Sequence, residues 1–158
     1  MNHTILQATG LTKQYGPTRA LDGVSIAFAE GTSTAIMGAS GSGKTTLLHI
    51  LAGILAPDVG SVAYAGAEIS GLPDGERSRL RREHFGFVFQ QGLLVPELTA
   101  VENVALALML NGMPKRQALG PAAQWLAALG LAGLEDRRIG ELSGGQAQRV
   151  AIARAQVT

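Results

Sequence analysis

Gly38-Ala39-Ser40-Gly41-Ser42-Gly43-Lys44-Thr45-Thr46 follows the apolar run Thr34-Ala35-Ile36-Met37 and leads into Leu47-Leu48-His49-Ile50-Leu51-Ala52. The spacing is G-x-x-x-x-G-K-[ST], with a predicted strand before it and a predicted helix after it, the context that gives the pattern a mechanism. A polyphosphate carries several negative charges, and a loop surrounds it only when successive backbone N–H groups turn inward. Gly38, Gly41 and Gly43 allow that path, because a Cβ would block close approach and forbid some of the backbone angles required. The helix that starts near Gly43 adds its unsatisfied N–H groups and the positive end of its dipole. Lys44 then reaches the β- and γ-phosphates, and the Thr45 hydroxyl ligates the Mg²⁺ that bridges them. The stretch is read as a phosphate cradle.

Composition bounds what surrounds the cradle. At 158 residues the chain has the length of one domain, with Lys+Arg 13 against Asp+Glu 12 and no global basic field for nucleic acid. Hydrophobic residues make up 46% and charged residues 16%, as expected of well-buried strands. Cys 0 removes disulfides, thiol catalysis and Cys-ligated metals. The start, Met1-Asn2-His3-Thr4-Ile5-Leu6-Gln7, lacks the basic and apolar regions of a leader, and Ile50 to Ala56 and Val104 to Leu110 are too short to span a bilayer. The expectation is a cytoplasmic chain whose link to a membrane comes through a partner.

Ile5 to Leu11 and Val24 to Ala29 read as strands, with the turn Lys13-Gln14-Tyr15-Gly16 between them. The Tyr15 ring either caps the small sheet or stacks on a base at the mouth of the nucleotide site. Ser61 to Tyr64 and Glu68-Ile69 read as a hairpin around Gly66. Leu72 to Glu83 reads as a solvated helix in which Glu76 and Glu83 interleave the arginines. Phe85-Gly86-Phe87-Val88-Phe89 is a dense apolar strand ending at Gln90. There the amide is either a ligand of Mg²⁺ or its water, at the strand end where α/β sheets bind ligands, or a plain loop amide. Thr99-Ala100-Val101-Glu102 is a capping box that opens a helix to about Asn111-Gly112. Further helices are predicted from Pro114 and from Pro121 to Leu129, with Trp125, the only tryptophan, as a core anchor.

A second glycine-lined helix start closes the chain. In Leu142-Ser143-Gly144-Gly145-Gln146, Ser143 is placed as an N-cap and Gln146 as its capping-box partner. Gly144 and Gly145 leave the first turn bare, so a large anion can touch its N–H groups. A single chain does not easily bring both starts to one phosphate tail. Two copies arranged head to tail do, each giving its cradle to one ATP and its Leu142 to Gln146 loop to the other.

The cradle and the Leu142–Gln146 stretch together resemble the ATP-binding cassette (ABC) family, the ATPase subunits of ABC transporters, over essentially the whole chain. By that resemblance Gly38 to Thr45 is the Walker A motif, Tyr15 the A-loop aromatic, Gln90 the Q-loop glutamine and Leu142 to Gln146 the signature. Phe87-Val88-Phe89-Gln90-Gln91, Leu98-Thr99-Ala100-Val101-Glu102-Asn103-Val104 and Gln148 to Ala155 resemble the lipoprotein-release and macrolide-export branch. The implied fold is α/β: a P-loop NTPase core with a mostly parallel sheet flanked by helices, an N-terminal antiparallel β subdomain and an inserted α-helical subdomain. The expected divisions of one incomplete nucleotide-binding domain are 1–96, 97–139 and 140–158. The implied partners are a second copy and a membrane permease that holds the chain at the inner face of the cell membrane, with no nucleic acid.

One departure bears on activity. In that family an apolar strand ending in Asp-Glu, a D-loop and a switch histidine follow the signature helix, and the sequence reaches Thr158 before them. None of His3, His49 or His84 stands in a position to replace the histidine. The Glu orients the attacking water and the Asp holds the Mg²⁺ shell, so the expectation is negligible ATP hydrolysis by these residues alone. The central sheet would also keep an unpaired buried edge, and the expectation is an unstable polypeptide. The alternatives are a short product that binds nucleotide or a partner without turnover, and a soluble ABC protein of translation or DNA repair. The near-zero net charge and the room for only one cassette argue against the latter.

Overall fold

A long hairpin opens the chain. In the computed structural model, which describes residues 3–89 and 93–158, β1 (Thr4–Tyr15) and β2 (Thr18–Ala29) pair antiparallel from Thr4↔Ala29 to Tyr15↔Thr18. Both strands outrun the apolar alternation that predicts them, and Lys13 to Tyr15 stay in the ladder instead of turning. They are held there from the side: the Asp58 carboxylate accepts from Lys13 Nζ at 2.8 Å and from Gln14 N at 2.7 Å. The turn shrinks to Gly16-Pro17, where proline has no N–H to offer a ladder.

β3 (Val59–Tyr64) pairs antiparallel with the other edge of β1, and β4 (Ala67–Glu68) pairs antiparallel with β3, giving the order β2-β1-β3-β4. Helix α1 (Lys44–Leu51) lies against β1 and β2 and buries Leu47, Ile50 and Leu51, residues three and four apart on one face. Ala8, Leu11, Leu21 and Val62 are the buried side chains of the sheet among the described residues. These elements form one unit that runs to Arg79, and the helix α2 (Asp74–His84) crosses its boundary.

The second unit, Leu80–Thr158, is helical. α3 (Ala100–Leu110), α4 (Lys115–Ala128) and α5 (Gly144–Gln156) enclose one core in which Val104, Ala118, Ala122, Leu126, Leu131 and Val150 are fully or almost fully buried. Burial of each large aliphatic side chain contributes about 1.5–3 kcal/mol. The helices predicted from Pro114 and from Pro121 are a single helix, α4, with Pro114 at its N-cap and Pro121 inside it. Proline removes one intrahelical bond, but Ala118, Ala122 and Leu126 lie four residues apart on either side of it and share one buried face. Trp125 packs against this core, partly buried.

Every ladder between named strands among the described residues is antiparallel. The strands predicted at Thr34 to Met37 and Phe85 to Phe89 are not formed. Thr34 to Met37 is irregular chain, with Met37 88% exposed. In Phe85 to Phe89 the phenylalanines are half-buried in alternation with exposed Gly86 and Val88, and the rings of Phe87 and Phe89 stack at 5.9 Å. An apolar run becomes a parallel strand only between neighbours that complete its ladder, and neither stretch has such a neighbour among the described residues of its own unit. Among the described residues no helix is long and apolar enough to cross a membrane.

Candidate nucleotide-binding site

The cradle lies between β2 and the sheet-bound helix α1. Gly43 is the N-cap of α1 with φ 87°, ψ 3°, and no side chain caps the helix. A Cβ at Gly43 would run into the carbonyl of Ala20, so both the conformation and the close approach demand glycine. Gly41 has φ 78°, and a Cβ at Gly38 would stand 2.7 Å from Ser42 Oγ. The first intrahelical bond runs from Leu47 N to Gly43 O at 2.9 Å, so the N–H groups of Lys44, Thr45 and Thr46 have no partner inside the helix.

Lys44 Nζ donates to the carbonyls of Gly38 and Ala39 at 2.8 and 2.7 Å and lies 3.4 Å from Ser42 Oγ. A cation is therefore held within the loop by neutral oxygens alone. A phosphate arriving there exchanges neutral acceptors for charge-assisted ones, roughly twice as strong. Ala39, Ser40, Ser42 and Thr45 are exposed around it, and Thr46 is half-buried. The Thr45 hydroxyl, one residue beyond Lys44, fits the role of an oxygen ligand to a hard cation at the rim of the cradle.

The start of α5 repeats this openness in the second unit. Ser143 Oγ accepts from Gln146 N at 3.3 Å, and Gln146 Oε1 accepts from Ser143 N at 2.8 Å, so the predicted capping box is complete. Gly144 and Gly145 occupy the first turn, and a Cβ built on either meets nothing within 4 Å. The start of α3 shows the opposite arrangement. Its Ala100 N donates to Arg137 O at 2.8 Å, its Val101 N to Glu135 O at 3.0 Å, and its Glu102 N to the Thr99 hydroxyl at 3.3 Å. The first-turn donors of α3 are consumed by the protein, whereas the N–H groups of Gly144 and Gly145 have no backbone partner among the described residues and a Cβ on either residue would stand in open space.

Tyr15 ends β1, 48% exposed as a residue, with Lys13 Nζ 5.8 Å from its ring centroid, a cation–π contact. Gln90 lies outside the described residues. Two residues that sequence reasoning passed over hold the surroundings in place. Asp58 fixes the end of β1 beneath Tyr15; the hydrogen bond from Lys13, then that from Gln14 N, lowers its pKa below the ordinary value. Asn103 is completely buried and bonds the Val95–Thr99 turn. Its signal was a neutral amide inside a helix that is apolar apart from Glu102.

A glycine cradle holding a lysine on its own loop carbonyls at a bare helix start, with a second glycine helix start elsewhere in the chain, defines a P-loop nucleotide-binding protein of the α/β class. A family profile described as ABC transporter matches residues 21–158, and the chain belongs to that family. It is 43% identical over 157 residues to the lipoprotein-releasing system ATP-binding protein LolD of Xanthomonas oryzae pv. oryzae, covering 97% of this chain and 64% of that protein. It is 44% identical to LolD of Geobacter metallireducens, covering 98% of this chain and 70% of the relative. The resemblance to the lipoprotein-release branch is thus borne out, and the chain spans about two thirds of the length of these relatives. Among solved structures, a dimeric post-hydrolysis state of the ATP-binding cassette MJ0796 bound to ADP and Pi superposes with TM-score 0.88 at 37% identity, over 97% of this chain and 69% of that one. The cbiO1 subunit from Clostridium perfringens, part of the ABC transporter complex cbiONQ, gives 0.85 at 29% identity, over 99% of this chain and 62% of that one.

Proposed function

We propose that the full-length protein is the ATP-binding subunit of an ABC transporter, in which two copies close head to tail on two ATP molecules. Gly38 to Thr46 takes the triphosphate of one ATP: the loop amides and the α1 start bind its oxygens, and Lys44 leaves the Gly38 and Ala39 carbonyls for the β- and γ-phosphates. Thr45, with Gln90 or a water on it, would hold Mg²⁺, which would supply charge neutralisation to the bound phosphates. Tyr15 stacks on the base. From the second copy, Ser143 and the amides of Gly144 and Gly145 meet the γ-phosphate, with Gln146 keeping Ser143 in place.

Turnover is assigned to the full-length protein, because the group that orients the attacking water in this family is a glutamate that follows the signature helix. By likeness to the LolD relatives, the membrane partner is a lipoprotein-releasing permease, and through it the protein sits at the inner face of the cell membrane. The helical unit and the chain around Gln90 dock that partner, and no nucleic acid takes part.

The observation that carries this reading is the open first turn of α5, in contrast to the filled one of α3. A glycine pair at a complete capping box has no packing duty there, which leaves ligand contact as its use. In the full-length protein Ser143→Arg should abolish ATP-dependent association while Lys44 still takes ATP. Unchanged association in sedimentation velocity runs refutes the reading.

A further inference from the structure

Asn103 is the one fully buried polar side chain of the core among the described residues. Its Oδ1 accepts from Val95 N at 2.7 Å, which fixes the orientation of the amide, and its Nδ2 faces the carbonyls of Val95, Leu98 and Thr99 at 3.0, 3.3 and 3.0 Å. One side chain thus closes the turn from Val95 to Thr99 onto α3. That turn is also an anchor for a distant segment. Thr99 forms an antiparallel bridge with Arg138, and Ala100 N and Val101 N hold the carbonyls of Arg137 and Glu135. From Arg138 the bonding continues without a gap: its N–H donates to Glu141 Oε2 at 2.7 Å, its carbonyl accepts from Glu141 N at 2.9 Å, and Leu142 N donates to Ile139 O at 3.2 Å. The next residue is Ser143.

We infer that Asn103 is a positioning residue for the Ser143–Gly145 phosphate contact, acting through the Val95–Thr99 turn and the Thr99–Arg138 bridge. The inference rests on the reading of Ser143 given above. A loop that must meet a phosphate on another copy gains from being fixed before the encounter, since ordering it on contact subtracts from the association free energy. The buried amide supplies that order at a site remote in sequence from both glycine loops. An apolar residue at position 103 would satisfy the core and leave the turn, the bridge and the approach to Ser143 free to move.

The test uses full-length protein in three measurements: thermal unfolding, ATP occupancy of the cradle with a fluorescent ATP analogue, and ATP-driven association by sedimentation. Asn103→Leu is expected to fold, to keep its cradle affinity within about twofold, and to need roughly tenfold more protein for association, the loss expected when about one hydrogen bond's worth of order is removed. A cysteine pair provides rescue: these 158 residues hold no cysteine, and any elsewhere in the full-length protein is first replaced by serine. Thr99→Cys with Arg138→Cys places two thiols on opposed antiparallel residues, within disulfide reach. In the Asn103→Leu background, oxidation should restore association and reduction should remove it again. Should Asn103→Leu not fold, the same pair with the milder Asn103→Ser decides: oxidised protein should associate about tenfold more readily than reduced. Normal association of folded Asn103→Leu, or association indifferent to the state of the disulfide, overturns the inference. Ser143→Arg run alongside separates the failures, because its normal association would sink the reading of the phosphate contact itself.

Discussion

Gly145→Ala puts stability and function in opposite directions. Gly145 lies within α5 and has no left-handed φ, and a Cβ there meets nothing within 4 Å. Glycine inside a helix is disfavoured against alanine by roughly 0.5–1 kcal/mol, and the first turn lies at the low end of that range. The variant should therefore gain about 0.5 kcal/mol, or 1–2 °C in Tm for a domain of this size. Association should suffer. A methyl group at the bare turn pushes a phosphate away from one charge-assisted hydrogen bond, worth about 1.5–3 kcal/mol. A head-to-tail pair carries that contact twice, so the losses add to about 3–6 kcal/mol, a weakening of at least roughly a hundredfold. The assay is scanning calorimetry beside sedimentation velocity with ATP in the absence of Mg²⁺, so that turnover does not intervene. A raised Tm with unaltered association would refute the reasoning, because Gly145 would then be a poor helix residue with no ligand to excuse it.

The other glycine start should respond differently. Gly43→Ala meets the Ala20 carbonyl and a left-handed backbone at once, so it should destabilise the sheet unit by at least about 1–2 kcal/mol and lose ATP occupancy together with urea stability; a stable Gly43→Ala chain that binds ATP would contradict the cradle geometry. Acid should loosen both capped carboxylates. The pKa of Glu102 lies below its ordinary 4.5 in the fold, held down first by Lys115 and then by Thr99 N, so its contribution is present above 4.5 and disappears as pH falls through the lower folded value. Asp58 behaves in the same sense below its ordinary 3.8. Urea midpoints followed from pH 6 to pH 3 should fall less steeply in Glu102→Gln than in the parent, and identical slopes would contradict the assignment.

Local chemistry made much of this legible. The cradle motif located the α1 start, and both capping boxes, Thr99 with Glu102 and Ser143 with Gln146, form as their spacing predicts. What escaped the sequence is non-local. Pro121 reads as a boundary until Ala118, Ala122 and Leu126 are seen to share one buried face across it. Thr34 to Met37 reads as a strand from its apolar residues, but a strand is made by its neighbours, and none pairs with it among the described residues. Asp58 carried no motif, and Asn103 stood in the Leu98–Val104 stretch with no role of its own; each matters because the fold brings backbone from another part of the chain to its side chain, at Gln14 and at Val95.

The head-to-tail assembly is tested most directly by mixing two crippled copies of the full-length protein, Lys44→Ala and Ser143→Arg, and measuring ATP bound per associated pair. Alone, neither variant should associate with ATP, since each spoils both composite sites of its own pair. Mixed, they should form pairs that retain one intact site and hold one ATP, the cradle of one copy against the Ser143 loop of the other. Association of either variant alone, or a mixture that stays monomeric at ATP concentrations saturating the parent protein, would contradict it.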